Sequence, residues 1–168
     1  IYFDYQSILL CLEEIMNETM QRINKLLVDS FNDVLIIEEK ALKNGPFNDV
    51  SITEVHTVEA IGMYEKKTMS EVAKILDITV GTLTVAVNKL VKKDYVRRLK
   101  SDGDKRIVFL GLTKKGRLLY RVHAKFHNDM VMATIGGMDD KEIGVLAKAL
   151  EHLNDFLREE YFIIKGEK

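Results

Sequence analysis

The sequence predicts a mainly α-helical fold carrying one small β-ribbon. Three observations predict it. Apolar residues recur at helical spacing through most of the chain, and hydroxyl or acidic capping residues open the periodic segments. A single stretch, 95–112, is instead dense in β-branched and aromatic residues around a polar turn. With 168 residues, 46% of them hydrophobic, the chain suffices for one domain with a real core, or one domain with long helical arms.

Residues 20–43 place Ile23, Leu26, Leu27, Phe31, Val34, Leu35 and Ile37 at a helical period, and Gly45–Pro46 should end that helix. Ser51 with Glu54 reads as a capping box opening a helix through Val55, Val58 and Ile61 to Gly62. Thr68 with Glu71 repeats the device and opens a short helix burying Val72, Ala73 and Leu76. After a turn at Asp77–Ile78, Thr79 can cap a helix over 80–93 with Leu83, Ala86, Val87 and Leu90 inward. Two short helices across a tight turn form a helix-turn-helix. Strands near 95–100 and 106–112 follow, joined by the turn Asp102-Gly103-Asp104-Lys105-Arg106. Thr113 caps a helix running to Gly136–Gly137, and Asp139 with Glu142 opens a last one carrying Ile143, Leu146, Leu150, Leu153 and Leu157. Terminal helices with such wide apolar faces call for a partner, and a twofold homodimer is the commonest way to supply one.

Charge locates the function. Residues 79–117 hold 11 basic and 3 acidic side chains, whereas 1–78 hold 7 and 14 and 118–168 hold 7 and 9. A basic block on an acidic body is the footprint of a polyanion binder. With the helix over 80–93 packed by its apolar face, Thr82, Thr84, Val85, Asn88 and Lys89 point outward, with Thr79 at its start. A helix fits the major groove of double-stranded DNA, where hydroxyls, an amide and a valine methyl can read base edges. Lys89, Lys92 and Lys93 suit phosphates, which position without reading sequence. The turn would carry Lys105 and Arg106 to the backbone and the neighbouring minor groove.

Other classes fall away. Cys11 is the single cysteine, which excludes an intramolecular disulfide and leaves no basic neighbour to activate a thiol. No apolar run approaches a membrane span, so no membrane partner is expected and the chain reads as cytoplasmic. No nucleophile–base pair, phosphate loop or carboxylate pair stands at usable spacing, so the chain reads as no enzyme. His123 and His127, four apart, share a helix face and could ligate one zinc ion as an alternative reading, with His56 approaching and Glu38 or Glu39 adding an oxygen.

The stretch "TMSEVAKILDITVGTLTVAVNKLVKKDYVRRLKSDGDKRIVFLGLTKKG" resembles the winged helix-turn-helix core of the MarR family of bacterial transcription regulators. The likeness rests on the helix around Glu71–Val72–Ala73, the recognition helix from Thr82 to Leu90, and the D-x-R wing at Asp104–Arg106 before "LTKKG". It implies that Arg106 enters the minor groove with Asp104 orienting it. Where the family usually has Gly this chain has Asp94, a residue that tolerates a left-handed cap. "ITEVHTVEAIG", "ITVGTLTVAVNKL" and "LTKKGRLLYRVHAKFHNDMV" are similar to the fatty-acid-synthesis repressor branch, the FabT type. That branch implies repression of fatty-acid synthesis genes with long-chain acyl-acyl carrier protein as corepressor and no required cofactor. Arg117, Arg121 and Lys125 would then offer the acidic carrier protein a docking face, or stand as solvated helix residues. The expected organisation is an extension at 1–15, a dimerisation helix in 16–50, a winged helix-turn-helix in 51–112, dimerisation helices in 113–160 and a tail at 161–168.

Overall fold

The structure, a computed structural model, describes residues 18–100 and 108–165. Its elements run α1 (Glu18–Asn44), α2 (Ile52–Ile61), β1 (Lys67–Thr68), α3 (Met69–Ile75), α4 (Val80–Lys92), β2 (Val96–Lys100), β3 (Val108–Leu112), α5 (Lys114–Ile135) and α6 (Asp140–Lys165). The chain divides into two compact units, one ending at Tyr120 and one beginning at Arg121.

In the first unit, each short helix starts where a side chain satisfies the free N–H groups of its first turn. Ser51 and Glu54 form a reciprocal capping box on α2, and Thr68 and Glu71 another on α3. Thr79 accepts from the Thr82 N–H at the start of α4. The Thr68 N–H and then its hydroxyl donate to the Glu71 carboxyl and hold it below its ordinary range.

The core of this unit lies where α2, α3, α4 and the sheet meet. Val58 and Ile61 from α2, Val72 from α3, and Leu83, Val87 and Leu90 from α4 are fully buried against Leu110 of β3. The sheet is antiparallel in the order β1-β3-β2, with Lys67 opposite Leu110 and Val96 opposite Leu112. The ribbon expected at 95–100 and 106–112 is thus β2 and β3, and it gains a third strand. β1 escaped the sequence reading because it is two residues long and Thr68 also serves as the cap of α3.

α1 has one buried residue, Glu38, while Ile23, Leu26, Phe31 and Leu35 stand more than half exposed. In the second unit α5 ends at a turn through Gly137, whose φ of 84° suits glycine. Asp139 and Glu142 then cap α6 reciprocally, at 2.8 and 2.9 Å. Ile143, Leu146 and Leu153 are half-buried along α6, whereas Val145, Leu150, Phe156 and Leu157 are exposed. No helix among the described residues is long and apolar enough to cross a membrane.

Candidate nucleic-acid interface

The helix-turn-helix consists of α3, a turn and α4. Asp77 takes φ 52°, and the Ile78 N–H donates to the Ala73 carbonyl at 3.0 Å, closing the turn. α4 then lies with Leu83, Val87 and Leu90 fully buried, which fixes the face that is left. Thr82, Val85, Asn88, Lys89 and Lys92 are exposed there; Thr84 and Ala86 are half-buried at its edges. Val80 and Val85 add exposed apolar surface at 44% and 57%. Thr82, Val85 and Lys89 also line an open groove of about 870 Å³ whose far wall is the α1–α2 loop and the start of α2.

The hydroxyls divide their work unevenly. Thr79 Oγ accepts from the Thr82 N–H at 3.1 Å and sits 2.9 Å from the Thr82 hydroxyl, so it is committed to the cap. Thr84 donates its proton to the Val80 carbonyl at 2.7 Å, a back-bond to the preceding turn. All three hydroxyl readers expected from the sequence are thus already hydrogen-bonded within α4 or its cap, Thr82 at the exposed surface through its contact with the Thr79 hydroxyl. Thr84 offers a methyl and an acceptor.

The cations also sort. Lys93, grouped with the phosphate-holding lysines in the sequence reading, instead donates to both oxygens of Glu54, at 2.8 and 2.7 Å. Glu54 is buried and already caps α2, so the lysine neutralises a charge that burial would otherwise penalise. Lys89 and Lys92 remain exposed. The sequence reading passed over β2, where Arg97, Arg98 and Lys100 are exposed and the Arg98 guanidinium donates to Asn88 Oδ1 at 2.7 Å. The signal was there: an Arg-Arg pair in the strand that follows the recognition helix.

A polar network holds the far end of α4. Asp94, in the family's glycine position, takes φ 61°. Tyr95, fully buried, donates from its hydroxyl to Asp49 Oδ1 at 2.6 Å. Lys115 lies 4.1 Å over the Tyr95 ring and donates to Asp49 Oδ2 at 3.3 Å and the Lys93 carbonyl at 3.2 Å. The Tyr95 hydrogen bond holds the Asp49 carboxyl below its ordinary range, while burial and then Asp49 push the phenol well above its own. The L-T-x-x-G motif has its explanation here. Thr113 Oγ accepts from the Gly116 N–H at 3.0 Å and donates to the Asp94 carbonyl at 2.6 Å. A Cβ on Gly116 would stand 2.1 Å from the Tyr95 carbonyl oxygen, a clash only glycine avoids.

The remaining expectations divide between described and undescribed residues. Asp104, Lys105 and Arg106 of the wing, and the extension at 1–15 with Cys11, lie outside the described residues. His123 and His127 meet with Nε2 atoms 3.3 Å apart and rings edge to face at 4.5 Å. His56 is half-buried on α2. Arg117 is not a free docking cation: it is half-buried and donates to the Leu112 carbonyl at 3.1 Å. Lys125 pairs with Asp129 at 2.5 Å, and Arg121 is exposed.

Comparison with known proteins converges on the same geometry. Residues 48–107 match the profile of the MarR family. The transcriptional regulator PchR of Bacillus subtilis is 26% identical over 113 residues, covering 66% of this chain and 67% of PchR. The MepR–DNA complex of S. aureus shares the fold, with TM-score 0.61 and 18% identity over 80% of this chain and 97% of that one. FabT of Streptococcus pneumoniae, solved in complex with DNA, is 47% identical with TM-score 0.75, covering 83% of this chain and 97% of its own. A helix-turn-helix with an exposed polar helix, a basic ribbon and a likeness this extensive lead to one conclusion: the chain is a DNA-binding transcription regulator, not an enzyme, and it belongs to the MarR family.

Proposed function

We propose that this regulator represses fatty-acid synthesis genes as a homodimer, with long-chain acyl-acyl carrier protein as corepressor. The observation that carries the reading is the 47% identity to FabT across 97% of that chain. The exposed apolar stripes of α1 and α6 support a dimer. Two copies of α4 set one helical turn apart, about 34 Å, would enter successive major grooves. In that arrangement Thr82, Val85 and Asn88 face base edges, Lys89 and Lys92 hold phosphates, and Thr84 contributes its methyl. Asp104, Lys105 and Arg106 form the wing, with Arg106 in the minor groove. The corepressor acts by favouring the spacing of the two α4 helices that matches the duplex.

A gel-shift titration on fatty-acid-synthesis promoters, with and without acyl-acyl carrier protein, tests this. Expected is sequence-specific binding that weakens steeply with salt and tightens with the acylated carrier but not with the unacylated one. Indifference to the acyl carrier would remove the corepressor. A response to added zinc, with stoichiometric metal in the purified protein, would replace it with the zinc-sensing alternative through His56, His123 and His127.

A further inference from the structure

The contact between β2 and α4 has a consequence for which bases can be read. Asn88 is exposed on the DNA-facing side of α4, and its carboxamide carries two complementary halves: an oxygen that accepts and an NH₂ that donates. A free asparagine uses both at once on adenine, accepting from N6 and donating to N7. Here the oxygen is engaged by Arg98 Nη2 at 2.7 Å, a charge-assisted bond between two exposed side chains ten residues apart. The amide is planar, so fixing Oδ1 toward β2 fixes Nδ2 on the opposite edge. Arg98 belongs to β2, and that strand is held in register to β3 from Val96↔Leu112 to Lys100↔Val108. The register thus fixes where the Arg98 backbone stands, and its exposed guanidinium reaches Asn88 from there.

The geometry points to Arg98 as a positioning residue that orients the Asn88 amide so that its NH₂ is the half presented to the major groove. With one lone pair of its oxygen held by Arg98 and that oxygen drawn toward β2, Asn88 leads with its NH₂, which favours a base edge with two adjacent acceptors, the O6 and N7 of guanine, over adenine. The inference rests on the recognition-helix assignment of α4 made above. It differs from a phosphate role for Arg98, which would strengthen binding to every sequence equally.

The test is selection from a duplex library randomised over one helical turn, using the full-length wild type, Arg98→Met, Arg98→Lys, Asn88→Ala and the Arg98→Met/Asn88→Ala double variant. Thermal melting of each variant controls for folding. Arg98→Met is expected to lower the guanine-over-adenine preference at a single position by about tenfold. Arg98→Lys, with one compact ammonium, should restore part of it. In the Asn88→Ala background the Arg98 substitution should leave base preference unmoved, because the group it orients is gone. A loss equal across all sequences, additive with Asn88→Ala and accompanied by a shallower salt dependence, would overturn the inference and assign Arg98 to phosphate. If the wild type itself selects no sequence, the recognition-helix reading fails instead, so the two failures are distinguishable.

Discussion

The reading head and the long helices of this protein are built to opposite specifications. In the head, formed by α2, α3, α4 and the sheet, Val58, Ile61, Val72, Leu83 and Leu110 are fully buried. In α1 and α6 many apolar residues are left in the open, with Leu35 at 58% and Val145 at 71% exposure. The head is thus closed by its own residues, while the long helices carry exposed apolar stripes, the surface that a second chain would cover in the proposed dimer. A regulator needs this division. In the proposed dimer the part that meets DNA would stay rigid, and the helices that set the distance between two such heads could be repacked without unfolding them.

Two glycines offer the sharpest way to break that comparison. Gly116 lies where α5 leaves the head, and its missing Cβ would stand 2.1 Å from the Tyr95 carbonyl. Gly144, within α6, has nothing within 4 Å of the same point. Gly116→Ala should therefore lose more than about 3 kcal/mol, since the strain falls on backbone. Gly144→Ala should gain up to about 1 kcal/mol, since alanine is the better helix former. Chemical denaturation of both variants measures the pair. Shifts of the same sign would show that the two regions do not differ in packing as described.

The next test works on the long helices alone. Leu35→Glu places a charge in the exposed stripe of α1. The expected outcome in sedimentation is loss of the dimer, while amide exchange at Leu83, Val87 and Leu90 stays slow because the head keeps its own core. Loss of that protection at low denaturant would mean that head and long helices fold as one cooperative unit.

A pH titration probes the head's polar network. The Asp49 carboxyl is held low by the Tyr95 hydroxyl. A group whose pKa is depressed on folding stabilises the folded state above its unfolded value, about 3.9, and loses that contribution as pH falls through the folded one. The Tyr95 phenol is raised, chiefly by burial. Its contribution is complete below an unfolded value of about 10 and is lost as pH rises through the folded one. Tyr95→Phe should flatten both limbs of the stability profile, and Asp49→Asn mainly the acid one. An acid limb unchanged in Asp49→Asn would assign acid sensitivity to other carboxylates.

What the sequence made legible were interactions that close within one turn. The capping boxes at Ser51–Glu54, Thr68–Glu71 and Asp139–Glu142 all stand where their spacing predicts, as does the left-handed Asp94. The interactions it concealed join distant residues. Lys93 looked like a phosphate ligand until Glu54, 39 residues away, proved to hold it. β1 pairs with β3 across more than 40 residues and is too short to show a period of its own. Arg98 was one of two arginines in a strand until its distance to Asn88 was known. The Thr84 back-bond to Val80 is local, and the i−4 spacing could have disclosed it.

The smallest expected effect concerns Thr79, whose two readings separate cleanly. If its hydroxyl is only the cap of α4, Thr79→Ala should cost about 1 kcal/mol of stability, as Asp139→Ala should at the start of α6. Thr79→Ser keeps the oxygen and discards the methyl, so it should restore stability and leave base preference untouched. Should the serine variant be stable yet read its operator differently, the methyl would be in contact with a base. The N-cap would then count among the sequence-reading residues rather than among those that merely start the helix.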